Sequence, residues 1–363
     1  MSGARHLYVH LPFCAHRCGY CDFVTAVGGR GDHDAYVDAL LAELALEHCV
    51  LASSLETIFL GGGTPTYTEP RALERLLAAL PDAEEVTVEA NPETVTPALA
   101  GLLRRNRVNR VSLGAQSFEP ELLATLERRA APADVRRAVA VLRDAGFDNL
   151  SLDLIYGIPG QTPDALERDL AAAIELGPEH LSAYELEAKP GTRFTHAHGA
   201  ELARQAEAME SYFERVVSVL TGAGYRWYET ANFCRRDLRA RHNLGYWLGH
   251  DYLGLGVGAV STVGGSRWRN APSVRAYAAS LAAGEAPPRE LEALSPETRA
   301  SERLMLALRL DEPLPLAGIE RSLDPAGLQR VERLGLVTRA GGELALTDRG
   351  RFLGDAVTAA LLA

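Results

Sequence analysis

Lysine is almost missing from this sequence, which contains one lysine, Lys189, among its 363 residues. Arginine must therefore make nearly all positively charged contacts, and a Schiff-base or phosphate-loop lysine is not expected. Acidic residues outnumber basic residues by 48 to 37, which gives a formal net charge of −11. Because nucleic-acid binders need a surplus of basic residues on some face, this charge argues against nucleic acid as a partner.

Long apolar runs are lacking as well. The sequence contains no run of 18 apolar residues, and its longest uncharged candidate, residues 252–266, is one-third glycine and too short to span a bilayer. The apolar patch within residues 1–14 contains two histidines and a proline, unlike the core of a signal peptide. We therefore expect a cytoplasmic protein. The length and the 47% hydrophobic content predict about two domains with a sizeable core.

From residue 7 to about residue 228, short β-rich runs alternate with longer segments of helical periodicity. Six such pairs predict a parallel sheet, either doubly wound or curved into an open barrel, and both place ligands at the carboxyl ends of the strands. Four of the six helices begin with proline, which suits a first helical turn. The predicted strands are Leu7–His10, Thr57–Leu60, Val86–Glu89, Arg110–Leu113, Leu150–Ile155 and Leu181–Glu185, and the predicted helices are Asp34–Ala52, Pro70–Leu80, Pro97–Asn106, Pro132–Ala145, Pro163–Leu176 and Glu201–Ala223.

The alternation stops after residue 230, where an arginine-rich segment leads into an aromatic and glycine-rich stretch. A helix is predicted over Ser295–Leu308, and residues 317–363 carry a helix and two short strands around a glycine turn, a pattern that looks like a winged helix. We therefore predict a barrel over residues 1–230, a connecting region over 231–300 and a winged-helix-like module over 301–363. Such a module suggests a DNA-binding regulator, but the acidic composition favours a structural or interaction role.

Cysteine is scarce, and three of the five cysteines lie within eight residues. An odd number excludes complete disulfide pairing, so metal binding is the more useful question in a reducing compartment. Cys14, Cys18 and Cys21 form a C-x3-C-x2-C motif just after the first predicted strand. Three thiolates can hold an iron–sulfur cluster and leave one iron open. A Cys3His zinc site completed by His16, or a chance group of unligated thiols, is the alternative.

This motif, on the first loop of a repeated βα unit, resembles the signature of the radical S-adenosylmethionine (SAM) superfamily. In that superfamily three cysteines hold a 4Fe-4S cluster, and the amino and carboxylate groups of SAM ligate the fourth iron. An electron from the reduced cluster then cleaves SAM to a 5′-deoxyadenosyl radical. The resemblance implies an α/β fold built on an open partial (β/α)6 TIM-like barrel, followed here by an α/β extension that ends in the winged-helix-like module.

The ends of the next strands extend the resemblance. The segment Gly61-Gly62-Gly63-Thr64-Pro65 is similar to the glycine motif that binds the SAM amino group, although alone it is also typical of a tight turn. Polar residues at later strand ends could be helix caps, but together they resemble the subgroup of oxygen-independent coproporphyrinogen III oxidases (HemN) and their haem-chaperone relatives (HemW). The resemblance implies SAM contacts from Tyr8, Gly62, Gly63, Thr64, Glu89, Gln116, Arg128 and Asp153, with Arg129 as the alternative to Arg128.

Two features separate the oxidase from its haem-chaperone relative. The oxidases usually continue the third cysteine as Cys-Gly-Cys, whereas here Cys21 is followed by Asp22 and Phe23. They also carry a longer segment before the first strand, where this sequence has seven residues before Tyr8. Both differences favour a chaperone that binds haem and transfers it to acceptor proteins. The alternative is an oxygen-independent coproporphyrinogen III dehydrogenase, which converts propionates to vinyl groups.

The segment His242-Asn243-Leu244-Gly245-Tyr246-Trp247 is similar to the HNxxYW motif of HemW-like proteins. Its imidazole could ligate haem iron, and a structural histidine among core aromatics is the competing interpretation. The resemblance implies a 4Fe-4S cluster, SAM and haem as cofactors, an electron donor to the cluster and haem-accepting respiratory proteins as partners. It allows a homodimer and peripheral contact with the inner membrane face. Haem propionates could pair with Arg235, Arg236, Arg239 and Arg241.

Other residues have weaker assignments. His10 could face SAM or a haem propionate, or be a satisfied histidine at a strand end. His196 and His198 could bind metal adventitiously. Cys49 is predicted to be buried, and Cys234 could offer haem a thiolate ligand.

Overall fold

The computed structural model describes residues 3–27, 31–189 and 193–362, and six strands alternate with helices in its first part, as the sequence predicts. The strands are β1 (His6–Leu11), β2 (Leu55–Gly62), β3 (Ala83–Ala90), β4 (Arg110–Gln116), β5 (Leu150–Tyr156) and β6 (His180–Glu185). The helices are α1 (Gly31–Glu47), α2 (Pro70–Ala79), α3 (Pro97–Arg105), α4 (Pro120–Thr125), α5 (Pro132–Asp144), α6 (Pro163–Glu175), α7 (Arg193–Gln205) and α8 (Met209–Gly222).

These six strands lie in chain order and parallel to one another at the centre of a twelve-stranded sheet. Beyond β6 the sheet continues antiparallel through β8 (Asn232–Cys234) to β7 (Arg226–Glu229). Beyond β1 it continues through β9 (Tyr252–Leu255), which is parallel to β1, and then antiparallel through β10 (Val260–Val263), β11 (Ser266–Asn270) and β12 (Arg289–Ala293). Within the described ranges β7 and β12 end the sheet, so the barrel is open.

Helix starts follow local sequence. Proline lies in the first turn of α2, α3, α5 and α6, where its missing N–H costs no hydrogen bond. The Thr96 and Thr162 hydroxyls accept hydrogen bonds from backbone N–H groups of α3 and α6. The predicted starts of all four proline-led helices are confirmed. They could be predicted because these signals are local in sequence.

The sixth helix differs from its prediction. The expected single helix over 201–223 is wrong, because α7 begins at Arg193 and a 3-10 turn, Ala206–Ala208, separates it from α8. Phe194 is the buried residue of α7, whereas α8 buries an apolar stripe that includes Tyr212 and Val216. The break separates a largely exposed helix from one that packs on the sheet.

The inner face of the barrel strands is polar. In β4, Arg110 and Ser112 line the barrel interior, whereas Val111 and Leu113 are buried in the core between sheet and helices. A strand covered on both faces is usually apolar throughout. Polar side chains at alternate positions therefore mark an interior that bonds to itself or to a ligand.

Helix α9 (Arg241–Trp247) closes the amino-terminal end of this interior. The backbone N–H groups of Arg241 and His242 donate to the carboxylate of Glu85 in β3, at 3.3 and 3.2 Å. A carboxylate at a helix start satisfies N–H groups that the helix itself leaves unpaired. The helix is thereby attached to the floor of the barrel.

The C-terminal part has a hydrophobic core of its own, which includes Leu304, Val331 and Leu344. Gly341 and Gly342 have positive φ values of 61° and 83° and form the predicted hairpin turn. Residues 252–293 supply strands to the main sheet. The predicted division of the chain at residues 230 and 300 stays a prediction. The elements are α10 (Val274–Ala282), α11 (Pro296–Ala307), β13 (Leu314–Pro315), α12 (Pro325–Arg333), β14 (Val337–Ala340), β15 (Glu343–Leu346), α13 (Asp348–Phe352) and α14 (Gly354–Leu361). Among the described residues, no helix combines the length and apolarity needed to cross a bilayer.

Candidate functional site

A cavity of about 590 Å³ opens at the carboxyl ends of the barrel strands. Residues from the cysteine loop form one wall, and the ends of β2 to β6 form the others. The three predicted cluster ligands and the predicted SAM contacts all line this cavity, namely Tyr8, Cys14, Cys18, Cys21, Gly62, Gly63, Thr64, Glu89, Gln116, Arg128 and Asp153. Residues separated by more than 100 positions in the chain therefore meet around one space.

The cysteine loop presents three partly buried free thiols. The Sγ atom of Cys14 lies 3.5 Å from the hydroxyl of Thr64. Burial raises the pKa of Cys14 and that of Cys21 above the ordinary value, and neighbouring cysteines add to the shift. Because metal binding requires thiolates, a bound cation would have to supply the charge that stabilises them.

His16 does not complete a compact zinc site with these thiols. Its Nε2 atom lies 2.7 Å from the Glu127 carbonyl oxygen and 3.8 Å from Cys18 Sγ. A tetrahedral zinc ion with Zn–S bonds of about 2.3 Å would hold its sulfur ligands about 3.8 Å apart. In a cluster each cysteine binds a different iron, so the three sulfurs need not converge on one ion.

The glycine loop is packed tightly against its neighbours. Gly62 has a φ of +107°, and a Cβ atom there would lie 2.5 Å from the ring of His10. At Gly63 a Cβ atom would lie 2.5 Å from the carbonyl oxygen of Pro12. The Gly62 N–H donates to Glu89 Oε2 at 3.2 Å. Packing alone thus explains both glycines, and the loop would bind a cationic group through oxygen atoms rather than through the Gly62 N–H.

Gln116 reaches the cavity from an irregular position in β4. The register between β4 and β5 shifts between Gly114 and Gln116, and Gln116 adopts a positive φ of 65°. Residues other than glycine seldom adopt this conformation, and bulges often redirect a side chain beside a functional site. The local strain therefore supports a role for Gln116 in the cavity.

Two carboxylates lie side by side within the barrel. Burial, followed by the nearby charge of Asp153, raises the pKa of Glu89 to about 7. Burial also raises the pKa of Asp153, although Arg110 and hydrogen bonds oppose the shift. The Ser112 hydroxyl lies 3.1 Å from both carboxylate oxygens of Asp153. The cavity can therefore gain or lose a proton near neutral pH.

Of the two candidate arginines, Arg128 lines the cavity, and Arg129 is exposed outside the lining. The Nη2 atom of Arg128 donates to Asn91 Oδ1 at 2.8 Å and to the Gly114 carbonyl at 2.9 Å. Its Nε atom is buried without a hydrogen-bond partner within the described part of the chain. The geometry therefore favours Arg128 of the two and leaves it a donor for an anionic group.

The cavity is also lined by Arg110, Ser112 and Asn91, which belong to none of the predicted sites. Arg110 and Ser112 alternate with apolar residues in a parallel strand. This alternation was the available signal, because it departs from the usual pattern of parallel strands. Asn91 lies at the end of β3, where it donates to Thr64 Oγ1 at 3.0 Å.

Tyr8 and His10 form a pair at the edge of the cavity. His10 donates from Nε2 to the Val24 carbonyl at 2.8 Å, so its Nδ1 accepts from the Tyr8 hydroxyl at 3.0 Å. Both ring nitrogens of His10 are thus satisfied within the protein. Of its two interpretations, the structural one fits this geometry.

His242 lies behind the cavity rather than on its surface. Its ring stacks on Phe59, which lines the cavity, with ring centres 5.2 Å apart. Its Nδ1 lies 2.7 Å from Thr57 Oγ1, and its Nε2 lies 2.8 Å from the Tyr246 hydroxyl. Burial lowers the pKa of His242 to about 3, so the imidazole is neutral. A haem contact by His242 stays a prediction, and iron ligation would first require one of these hydrogen bonds to open.

The weaker candidates lie away from the cavity. The prediction that Cys49 is buried is wrong, because α1 ends at Glu47 and leaves Cys49 exposed in a 3-10 turn. Cys234 is buried in β8, where burial raises its pKa to about 11, so it remains a thiol. Arg239 and Arg241 pair with Glu312 and Glu84. None of the arginines at 235, 236, 239 and 241, nor the histidines at 196 and 198, lines the cavity.

Comparison with known proteins identifies the family. Residues 8–173 match the radical SAM superfamily model, and residues 294–353 match the HemN C-terminal domain. The heme chaperone HemW of Mycobacterium tuberculosis is 39% identical, covering 98% of this chain and 94% of that protein. The chain belongs to the HemW family of radical SAM proteins. The heme chaperone HemW of Bacillus subtilis is 34% identical, covering 98% of both chains.

A solved structure shows the same fold. The radical SAM enzyme coproporphyrinogen III oxidase (HemN) from Escherichia coli has a TM-score of 0.85, covering 99% of this chain and 90% of that chain at 24% identity. Membership of the radical SAM superfamily implies a 4Fe-4S cluster and SAM. The cavity fits both groups, because it combines three soft sulfur donors with carboxylates and an arginine whose buried Nε atom has no partner in residues 3–27, 31–189 and 193–362.

Proposed function

We propose that this protein is a haem chaperone that binds a 4Fe-4S cluster, SAM and haem and transfers haem to acceptor proteins. The observation that carries this proposal is the meeting of Cys14, Cys18 and Cys21 with the polar strand ends around one cavity. The haem part rests on the similarity to proteins named heme chaperone HemW. It also rests on the resemblance of residues 242–247 to the HNxxYW motif.

The cavity residues have separate tasks in this proposal. Cys14, Cys18 and Cys21 hold the cluster, which supplies one-electron reduction when bound. The Glu89 carboxylate and the oxygens of the glycine loop accept hydrogen bonds from the N–H groups of the SAM amino group. Arg128 donates to the SAM carboxylate through its available Nε atom. Tyr8, Gln116 and Asp153 contact the remaining parts of SAM, with Ser112 holding Asp153 in place.

His242 contributes to haem binding in one of two ways. Its Nε2 either ligates haem iron after the Tyr246 bond opens, or the ring supports Phe59 and Tyr8 from behind. The first route requires a neutral imidazole, which the lowered pKa provides. The substitution Tyr246→Phe separates the two routes, because it frees Nε2 while keeping the ring.

The second candidate function is oxygen-independent coproporphyrinogen III dehydrogenase, which the structural likeness to HemN favours. In that function the same cysteines would hold the cluster, and the cavity would admit porphyrinogen. Phe23 argues for the chaperone, since it stands where the oxidases usually have a further cysteine. Its side chain is exposed.

One anaerobic experiment decides between these functions. The full chain is reconstituted with iron and sulfide and then supplied with reductant, SAM and coproporphyrinogen III. We expect no catalytic formation of protoporphyrinogen IX but saturable haem binding, with transfer to a haem-free respiratory acceptor. Turnover of coproporphyrinogen III would overturn the chaperone proposal.

A second measurement tests the haem motif. We expect His242→Ala to weaken haem binding or shift the Soret band, and His196→Ala, at an exposed histidine, to leave both unchanged. If His242 ligates the iron, Tyr246→Phe should keep or tighten haem binding. Unaltered haem spectra and affinity in His242→Ala would assign His242 to the structure alone.

The proposal includes four further parts. They are an electron donor to the cluster, a homodimer, a peripheral membrane contact and the predicted three-part division of the chain.

A further inference from the structure

Three metal-ligating side chains meet at the end of the barrel opposite the cysteine loop. His6 opens β1, Glu56 lies near the start of β2, and His250 follows α9. One ligand atom from each lies within 4.8 Å of the other two. His6 is buried, whereas Glu56 and His250 are partly exposed, so solvent reaches the group from one side.

The turn after α9 positions His250 beside His6 and Glu56. Gly249 has a φ of +69°, its N–H bonds to the Tyr246 carbonyl, and the His250 N–H bonds to the Gly245 carbonyl at 2.9 Å. This pair of bonds is the Schellman helix ending, which fixes the direction of the residue that follows the glycine. At Gly245 a Cβ atom would lie 2.8 Å from His6 Nε2, so a glycine is needed for α9 to approach His6.

The distances between the ligand atoms suit a tetrahedral ion. His6 Nε2 lies 3.1 Å from His250 Nδ1 and 3.7 Å from Glu56 Oε2. Zinc bonds of about 2.0–2.1 Å to nitrogen or oxygen place tetrahedral ligands about 3.3–3.4 Å apart. Two of the three separations therefore lie close to those of one coordination sphere, and all three ligand atoms lie within 4.8 Å of one another.

The surroundings keep the ligands in the form that binds metal. Burial lowers the pKa of His6 to about 4 and also lowers that of His250, which favours the neutral form of both imidazoles. Arg5 pairs with Glu56 Oε1, and Glu56 Oε2 is the oxygen that faces His6. The second ring nitrogen of His6 lies 2.9 Å from Thr57 Oγ1. With metal on Nε2, the Nδ1–H would donate to Thr57, the outer-shell arrangement usual for histidine ligands.

From this geometry we propose that His6, Glu56 and His250 form a site for a divalent transition ion of the zinc class. Two imidazoles and one carboxylate are a donor set for such ions, with a fourth position left for water. The site joins β1, β2 and the end of α9. It also reaches the haem motif, because Thr57 bonds to both His6 and His242.

Zinc binding to the full-length, tag-free protein tests the proposal. A background variant that combines Cys14→Ser, Cys18→Ser and Cys21→Ser removes the competing thiols. In this background we expect one zinc per chain, with X-ray absorption showing nitrogen and oxygen ligands at about 2.0–2.1 Å and no sulfur at about 2.3 Å. Adding His250→Ala should weaken zinc binding at least about tenfold, as should Glu56→Gln, and Thr57→Val should weaken it about 10–100-fold.

The matched control is His196→Ala with His198→Ala, which removes two histidines of a separate helix and should leave zinc affinity unchanged. If His250→Ala disturbs folding, Glu56→Gln still tests the site, because Glu56 is partly exposed. Failure of the background variant to retain zinc would overturn the proposal. Equal zinc affinity with and without His250 and Glu56 would overturn it too.

Discussion

The two ends of the barrel interior are built from the same strands but satisfy their polar groups differently. At the carboxyl end, the cavity contains three free thiols and an arginine Nε atom that has no partner among the described residues. At the amino-terminal end, hydrogen bonds run continuously from His250 through His6, Thr57 and His242 to Tyr246. A buried polar group without a partner costs free energy, so the open end is a place for ligands.

The difference indicates that the two ends respond to different changes. Substitutions at the carboxyl end should alter ligand binding with little effect on the free energy of unfolding, because the thiols and the Arg128 Nε atom there contribute few hydrogen bonds to the folded protein. Substitutions at the amino-terminal end should lower the free energy of unfolding, because they leave buried imidazole nitrogens without hydrogen-bond partners. This separation can be tested from both ends.

The largest expected effect is on the cluster. Cys18→Ser should abolish bound iron and the charge-transfer absorption near roughly 400 nm that thiolate-bound iron–sulfur centres show. The matched control is Cys49→Ser, since Cys49 is exposed in a turn outside the cavity. Iron analysis and anaerobic absorption spectra of the reconstituted proteins check the result. Unchanged iron in Cys18→Ser would contradict the assignment of the cluster ligands.

The next effect is on stability at the closed end. Thr57→Val keeps the side-chain shape but removes hydrogen bonds to His6 Nδ1 and His242 Nδ1. Two buried nitrogens without partners should lower the free energy of unfolding by about 2–4 kcal/mol. Chemical denaturation measures this change, and iron content should stay at the wild-type level. If Thr57→Val keeps its stability but loses its iron, the expected difference between the two ends of the barrel is wrong.

A smaller effect concerns pH at the open end. Glu89 has a pKa of about 7, raised first by burial and then by Asp153. Its deprotonated form accepts a hydrogen bond from the SAM amino group, so SAM affinity should rise by about tenfold between pH 6 and pH 8. Calorimetric titration of SAM into the reconstituted protein measures the slope. In Glu89→Gln the slope between pH 6 and pH 8 should become shallower, and an unchanged slope would remove Glu89 from the SAM site.

The sequence predicts the open end better than the closed end. Cys14, Cys18 and Cys21, the glycine loop and the strand-end polar residues are local motifs with fixed spacing, and they meet because parallel strands end at the same edge. The choice between Arg128 and Arg129 needed the fold, since one residue of register decides which side chain enters the cavity.

The closed end could not be predicted from spacing. His6, Glu56 and His250 are 50 and 194 positions apart, and their meeting depends on how α9 enters the barrel. His242 was nominated through its motif, but its two hydrogen bonds come from strand β2 and from its own helix. The polar alternation in β4 was present in the sequence, although its meaning depended on which face became the barrel interior.

The smallest expected effect is at His16, and it sharpens the description of the open end. If three cysteines hold the cluster and SAM completes it, the imidazole of His16 is not a ligand, and its Nε2 donates to the Glu127 carbonyl. His16→Ala should then retain wild-type iron content and change the free energy of unfolding by no more than about 0.5 kcal/mol. Iron analysis together with thermal unfolding tests both expectations. If the wild type instead binds zinc and His16→Ala loses that zinc, the result would support a Cys3His site.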